Sequence, residues 1–530
     1  MNDIESDNYK YNIQLFKKVY CLFALVCFSI QIFLSNSNID YYLIILLLLL
    51  NLISLFYCFN EKYFNQFPLS YSVIFLSIFC IQGSSIFFKT FELQSISSGL
   101  YLPFFSSNML FASCILLICI HFIYVKKNYF SNKETYIFKF NKKLGLFKIN
   151  PKFLFTTGVL AICLLFLSRY LYKVGDINNT FEVGLPLYYT VINGINIFYL
   201  LPFILVFSKQ LFNSEYKINF YSLLIFSFII LITSIGSNRR HLIFFGIINI
   251  LIIFFILFLL GKIKFNKKSF VKYTLLIILF FSIYDHVIKF NYVYVYERGE
   301  SSKRTFTENI TSFKNSLFNY FYSDDPTYYI QKVDNILISD YNDYYNNTLF
   351  NRINFTEYAD NIFYNKETFF SENDIKEIRS YQIGRIIGII PQPIINIFYD
   401  GFDKKKYQFV NIGSKINNKY NPFYSSSNDF SSFIAEAYFM FGYLFIFVIG
   451  IFSIIYFYII DSFFDKKRGI FSVIILLTLF HFTTYMGVIF GSPSLDLLIF
   501  NFRTLFQMII IYKIMELIYN IFSQKKANVN

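Results

Sequence analysis

The feature that most constrains this chain is the recurrence of apolar runs of about 20 residues, the length that crosses ~30 Å of hydrocarbon. "LIILLLLLNLISLFYC" (43–58) and "HLIFFGIINILIIFFILFLL" (241–260) are two of them. A backbone in lipid has no water to bond to, so runs of this kind must close their hydrogen bonds internally as helices. Twelve spans are expected, at roughly 19–34, 41–58, 68–88, 103–125, 152–172, 186–208, 219–236, 242–260, 270–288, 433–459, 469–489 and 496–519. The expected fold is an all-α polytopic membrane protein. Met1 to Lys18 is polar and no small-residue cleavage site follows the first run, so that run is expected to stay as a helix.

Orientation follows from the bias of Lys and Arg toward cytoplasmic loops. The connection after the fourth span carries Lys126, Lys127, Lys133, Lys139, Lys142, Lys143, Lys148 and Lys152 against Glu134 alone; the one after the eighth carries Lys262, Lys264, Lys267 and Lys268. Lys466, Lys467 and Arg468 follow the tenth span, and Lys525 and Lys526 the twelfth. All fall on one side, read as the cytoplasm, together with both termini. The opposite side receives short connections and one large region, 289–430, which holds 16 Lys or Arg and 17 Asp or Glu. The net charge of +14 therefore resides in the cytoplasmic loops and chain ends, which reads as topology and not as nucleic-acid binding.

Three parts are expected: a membrane bundle over 1–288, the large extracytoplasmic loop over 289–430 between helices 9 and 10, and a second bundle segment over 431–530. A connection of this length is usually functional. Within it, "NDIKEIRSYQIGRIIGIIPQPIINIF" sets Ile375, Ile378, Ile386 and Ile389 near helical spacing, with Arg379 and Arg385 on the more polar side, until Pro391 and Pro393 end the pattern. An amphipathic helix near 373–390 is expected, lying against the outer membrane surface or dipping toward the bundle.

The seven cysteines, Cys21, Cys27, Cys58, Cys80, Cys114, Cys119 and Cys163, lie in or beside the first five runs with no CxxC pair, which supports neither a disulfide framework nor a zinc site. They read as small core- or lipid-facing residues. No GxxxxGK[ST], HExxH or GxSxG motif occurs. Asp324/Asp325 and Asp340/Asp343 resemble a metal motif only faintly, so no metal and no cofactor are expected.

The candidate chemistry lies at the outer face. "TSIGSNRRHLIF" (233–244) sets Arg239 and Arg240 on the side that the positive-inside bias disfavours. They are either interfacial anchors whose stems snorkel to headgroups or an anion site of two guanidinium forks suited to a diphosphate. The chain has 10 Arg among its 47 basic residues, so Lys is its default cation and Arg stands where a planar donor matters. Arg503 lies roughly 10–12 Å into the last span, with Asp496 and Gln507 on a similar face. His481 sits in the outer half of the eleventh span, Asp285 and His286 close the ninth, Arg169 ends the fifth, and Glu436 opens the tenth in "FIAEAYFMFGYLFIF". Each reads either as a helix-end or interhelical polar group or as part of one shared outer site.

Taken together, the outward Arg doublet, the large outer loop with its Arg-bearing amphipathic stretch and "EAYFMFGYLFIF" resemble the O-antigen polymerase family, the Wzy-type oligosaccharide repeat unit polymerases. The resemblance covers the whole chain in architecture and rests on short motifs. It implies a bundle similar to the GT-C class of membrane glycosyltransferases in the bacterial inner membrane. Such enzymes transfer a growing glycan from undecaprenyl diphosphate to the non-reducing end of a lipid-linked repeat unit. It also implies essential outer-face arginines, matched here by Arg239 or Arg240 and Arg385, and a Glu–aromatic–Phe–Gly stretch matched by Glu436, Phe441 and Gly442. Related ligases carry a catalytic His in the large loop; residues 289–430 contain none.

Glycosyl transfer from a lipid diphosphate needs the leaving charge stabilised and the acceptor hydroxyl deprotonated. The expected catalytic groups are Arg239, Arg240, Arg385, Glu436 and His286; the expected substrate-binding groups are Arg503, Arg169, His481 and Arg379. The expected partners are undecaprenyl-diphosphate-linked oligosaccharides, membrane lipid, a chain-length regulator and a flippase, and no nucleic acid. Two rivals stay open. A lipid-linked oligosaccharide transporter shares the helices and buried cations, though it usually shows internal repeats that this chain lacks. An O-antigen ligase-type glycosyltransferase shares the diphosphate site and differs in acceptor.

Overall fold

A computed structural model describes residues 3–129, 134–171, 195–236, 241–263, 290, 293–294, 305–322, 354–388, 390, 392–399, 401–407, 412–413, 415–416, 432–477 and 495–527. In chain order the helices are α1 (Asp3–Leu34), α2 (Asn38–Cys58), α3 (Pro68–Ile78), α4 (Ser85–Phe91), α5 (Pro103–Tyr129), α6 (Tyr136–Lys143), α7 (Pro151–Leu171), α8 (Phe220–Gly236), α9 (His241–Leu259) and α10 (Phe306–Tyr322). There follow α11 (Thr356–Phe369), α12 (Glu372–Gly388), α13 (Gln392–Phe398), α14 (Phe433–Phe441), α15 (Phe445–Asp461) and α16 (Leu495–Ala527). Among the described residues the only sheet is a hairpin of β1 (Phe464–Asp465) and β2 (Ile470–Phe471).

Among the described residues, six helical segments are long and apolar enough to cross a membrane: Asn8–Leu34, Asn38–Cys58, Pro103–Tyr129, Pro151–Ser168, Phe433–Asp461 and Leu505–Ser523; the bent pair Pro68–Gly83 and Ser85–Phe91 makes a seventh if it is one span. The protein is thus an all-α membrane protein. Several expected spans differ in detail. The run 68–88 is broken: α3 passes through a π turn at Phe79–Gly83 into α4, with a bend of 51°. The run 186–208 is described from 195 and is interrupted by 3-10 turns, with Pro202 inside it. The run 469–489 starts with the hairpin and turns helical at 473; its remainder and the run 270–288 lie outside the described residues.

The described residues form two compact units. One comprises Met1–Phe147, Leu259–Gly261 and Asp343–Phe506. Its axis is the parallel pair α5 and α15. Phe105 of α5 meets Tyr438 of α14, while at the other end Tyr124 donates to Phe457 O (3.1 Å) and to Asp461 Oδ2 (3.0 Å). The 27 residues of α5 separate these ends by about 40 Å.

At the Tyr129 end, Glu134 lies near both Lys142 (3.9 Å) and Lys467 (3.6 Å), and Asn141 donates to the Ser462 hydroxyl. The N-terminal part of α1 joins the 59–67 turn through Tyr9 OH to Glu61 O at 2.8 Å. Lys466 covers the Phe67 ring at 3.5 Å. The basic connections 126–148 and 466–468 therefore share one end of this unit. Loop 89–102 and helices α11 and α12 share the other.

Just inside the basic end lies a largely buried polar chain: Tyr57 OH to His121 Nδ1 (2.8 Å), His121 Nε2 to Ser70 Oγ (2.9 Å), and Ser70 N to Asp461 Oδ1 (3.1 Å). Asp461 thereby satisfies an amide in the first turn of α3 that has no intrahelical partner.

The other unit comprises Lys148–Phe258, Lys262–Asn342 and Gln507–Asn530. Here α7 packs closely on the 196–212 segment: a Cβ at Gly158 would lie 2.3 Å from Pro202 Cδ. Phe153 of α7 and Phe198 both meet the Tyr512 ring of α16, and α10 packs along α8. Of the cysteines, Cys27, Cys58, Cys80 and Cys114 are buried and Cys119 and Cys163 exposed, all as free thiols.

Candidate functional site

From residue 354 on, the described part of the large loop is folded onto the first unit and anchored at the π turn, whereas α10 belongs to the second unit. A π turn shifts backbone pairing by one residue and leaves carbonyls to be bonded elsewhere. Phe355 N donates to Cys80 O (3.0 Å) and Thr356 Oγ1 to Ile81 O (3.0 Å), while Asn354 Nδ2 donates to Ser85 Oγ (2.9 Å). The bend in the membrane helix and the entry of the loop are thus one structure.

Next along α11 come two buried acids three residues apart, which puts them on one face. Glu357 pairs with Lys89 at 3.4 Å, with the two side chains 2% and 1% exposed. Lys89 also donates to Gln94 Oε1 (3.1 Å) and Ser98 O (2.9 Å). Asp360 is fully buried and accepts from Tyr101 N, from Leu102 N at 3.0 Å and from the Ser106 hydroxyl. It gathers the donors at the start of α5, although it is remote in sequence. Burial raises the Asp360 carboxyl above its ordinary value, against the pull of those hydrogen bonds.

The candidate site proper surrounds α14, where the helix that carries the Glu436 stretch breaks. Gly442 has φ +55° and ψ −142°, a conformation open to glycine, and the chain resumes as α15. At the stop Gly442 N donates to Tyr438 O, the last carbonyls beyond it are left without helical donors, and the helix end carries partial negative charge. Two cations from the loop meet it. Lys366 of α11 donates to Tyr438 O at 2.9 Å and stands over the Tyr438 ring at 3.7 Å. Arg379 of α12 donates to Met440 O and lies 5.7 Å from the Phe441 ring centroid. Burial holds the Lys366 ammonium below its usual value, Glu367 acts in the other direction, and Arg379 adds to the lowering. Glu436 is fully buried in the first turn of α14, where a carboxylate suits the positive end of the helix dipole.

A helix, α12, stands where an amphipathic one is expected near 373–390, with Ile378, Gln382, Gly384 and Gly388 buried and Ile383 exposed. Arg385 is half-buried in its last turn. The structure therefore brings Arg379, Arg385 and Glu436 onto two packed helices. Arg169 lies in the last turn of α7 and Arg503 in α16, both with side chains outside the described residues. Arg239, Arg240, His286 and His481 lie outside the described residues altogether.

Sequence reasoning passed over Lys89, Glu357, Asp360, Lys366, His121 and Asp461. The acids at 357 and 360, with Ala359, Ile362 and Phe363 around them, show helical spacing in "TEYADNIFYNK" that marks an acidic buried face. Nothing local marks their partners, which stand more than 250 residues away.

No family model, curated protein or solved structure matches this chain.

Proposed function

We propose that the protein is an oligosaccharide repeat unit polymerase of the Wzy type. It moves a growing surface glycan from undecaprenyl diphosphate to a lipid-linked repeat unit at the outer face of a bacterial inner membrane. One observation carries the reading: α12, with Arg379 and Arg385, packs on α14, with Glu436, so the two stretches that bear the family resemblance are neighbours in space. The twelve-span topology belongs to the same proposal, with the basic end of the first unit and both termini in the cytoplasm. The positive-inside bias supports that orientation, since loop 89–102 and the α11–α12 segment share the end opposite the Lys-rich connections.

In this reading Arg239, Arg240 and Arg385 stabilise the diphosphate leaving group, each contributing ~2–4 kcal/mol in the transition state. Arg503, Arg169, His481 and Arg379 hold the lipid-linked substrates, and Glu436 or His286 takes the acceptor proton. The reaction draws its energy from the glycosyl diphosphate bond and requires no metal.

Deletion of the gene tests the reading. Loss of long surface glycan, with single-repeat material still attached to its acceptor, is the expected result. Lipid-linked units trapped on the cytoplasmic face would instead make the protein a transporter, and polymer retained on its carrier would make it a ligase. Arg239→Ala and Arg240→Ala proteins shown to be in the membrane should lose polymerisation; wild-type rates would remove the diphosphate role.

A further inference from the structure

After α12 the chain folds back on itself as a short, rigid wedge. Gln392 Nε2 donates to Asn396 Oδ1 (2.7 Å) and Phe402 O (3.0 Å), and Tyr399 N donates to Ile395 O (2.8 Å). The Phe402 and Tyr407 rings stack with centroids 5.3 Å apart, and Tyr407 seats against Gly384 of α12, where a Cβ would lie 2.4 Å from the ring. A structure braced at both ends in this way has no need to present apolar groups to water.

Yet it does. Ile395 is buried at 3%, and the uncovered side of α13 presents Ile397 at 74% exposure and Phe398 at 83%, with Ile394, Ile390 before the helix and Tyr399 (63%) after it also exposed. Ile394, Ile397 and Phe398 stand at i, i+3 and i+4, one stripe of a helix. The Lys404–Tyr407 turn then supplies three consecutive lysines.

We propose that this wedge inserts into the outer leaflet of the bilayer that holds the bundle. Its apolar stripe lies among the upper acyl chains, Tyr399 at the headgroup level and Lys406 against anionic phosphates. Depth supports this occupant. Arg379 of α12 bonds Met440 O, and the exposed apolar run of the crossing helix starts immediately beyond, at Tyr443, Leu444 and Phe447. The middle of α12 is therefore level with the end of a membrane-crossing helix, and the wedge is tied to α12 by Tyr407 at Gly384; at that level amphipathic segments with basic flanks partition and tyrosines concentrate. Insertion fixes α12, and with it Arg379 and Arg385, at the depth of lipid headgroups.

The chain contains no tryptophan. Phe398→Trp exchanges one exposed ring for another and creates a single tryptophan, excited at the red edge where the 45 tyrosines do not absorb. The full-length variant is placed in nanodiscs of phosphatidylcholine and phosphatidylglycerol, with ordinary or acyl-brominated chains. The expected result is blue-shifted emission that falls roughly twofold or more in brominated lipid and resists aqueous iodide, as for an interfacial helix. Phe56→Trp on the exposed face of α2 supplies the lipid-facing reference, and Ile397→Trp repeats the measurement one position away. Quenching by iodide without quenching by brominated lipid would put the wedge in water and overturn the proposal. Blue-shifted emission that neither agent quenches would mean that protein covers the stripe, a second copy or another partner, and would overturn it equally. None of these readouts depends on glycan synthesis, so the outcome is separate from that of the polymerase reading.

Discussion

The buried pair between Lys89 and Glu357 should be the main tether of α11 to the membrane helices. At 3.4 Å and an effective dielectric constant near 20, two unit charges attract by about 5 kcal/mol. With side chains 1% and 2% exposed, neither charge recovers hydration if its partner is removed. Deleting one member of such a pair costs ~3–5 kcal/mol, whereas replacing both by apolar groups of similar volume is close to neutral. Glu357→Gln should therefore speed local opening of α11 by roughly 10²- to 10³-fold, since 1.4 kcal/mol is one decade. Native-state hydrogen exchange of the amides over 359–366 in nanodiscs reads this directly. Lys89→Met should behave alike, and the double variant Lys89→Met/Glu357→Leu should exchange more slowly than either single variant. If Glu357→Gln changes exchange by less than about twofold, or if the double variant is as fast as the two single effects added, then the pair does not hold the loop and the reasoning fails.

Two further outcomes use the same helix and its neighbour. Asp360→Ala should free the amides at the start of α5 and cost at least ~2 kcal/mol in α11 docking, with Asp360→Asn milder because one acceptor oxygen remains. Burial raises the Asp360 carboxyl, so its pH-linked contribution is largest below the unfolded value near 3.9 and declines as pH rises through the folded value; the Asn variant should lack that slope in a pH series of opening rates. Gly442→Ala should cost ~1–3 kcal/mol from backbone strain alone, since nothing lies within 4 Å of the added methyl. An unchanged melting temperature for that variant would show that the α14–α15 break tolerates other conformations.

What the sequence discloses and what it hides divide along physical lines. Apolar runs report burial in lipid, so α2, α5, α7, α9 and the pair α14 and α15 taken together stand close to the spans expected from composition, although the break at Gly442 is not expected from it. The 3.6-residue period similarly placed α12 within two residues of its observed ends. The break at Phe79–Gly83 leaves no local mark, because its cause is distant: carbonyls released by the π turn are held by Phe355 and Thr356 from the large loop. The same holds for Asp461, whose hydrogen bond to Ser70 spans 391 residues. Hydropathy registers an acid at the end of a run and says nothing of the amide it will cap.

Arg379 shows how one guanidinium can serve two different ends. By sequence it is expected to bind substrate; in the fold it donates to Met440 O and faces the Phe441 ring, while Lys366 takes Tyr438 O two residues earlier. Both cations thus meet the negative end of α14 at the point where Gly442 stops it. The two roles respond differently to one substitution. Arg379→Lys keeps a positive donor within reach of a carbonyl but loses the planar fork needed for bidentate phosphate recognition. If helix capping is its role, Arg379→Lys should retain melting temperature and polymer synthesis while Arg379→Ala loses both. If Arg379 binds the diphosphate, Arg379→Lys should melt like the wild type yet make little polymer. A stable, fully active Arg379→Ala protein would defeat both accounts. It would leave the closure of α14 to Lys366, whose ammonium already sits over the Tyr438 ring and bonds the carbonyl one turn above the break.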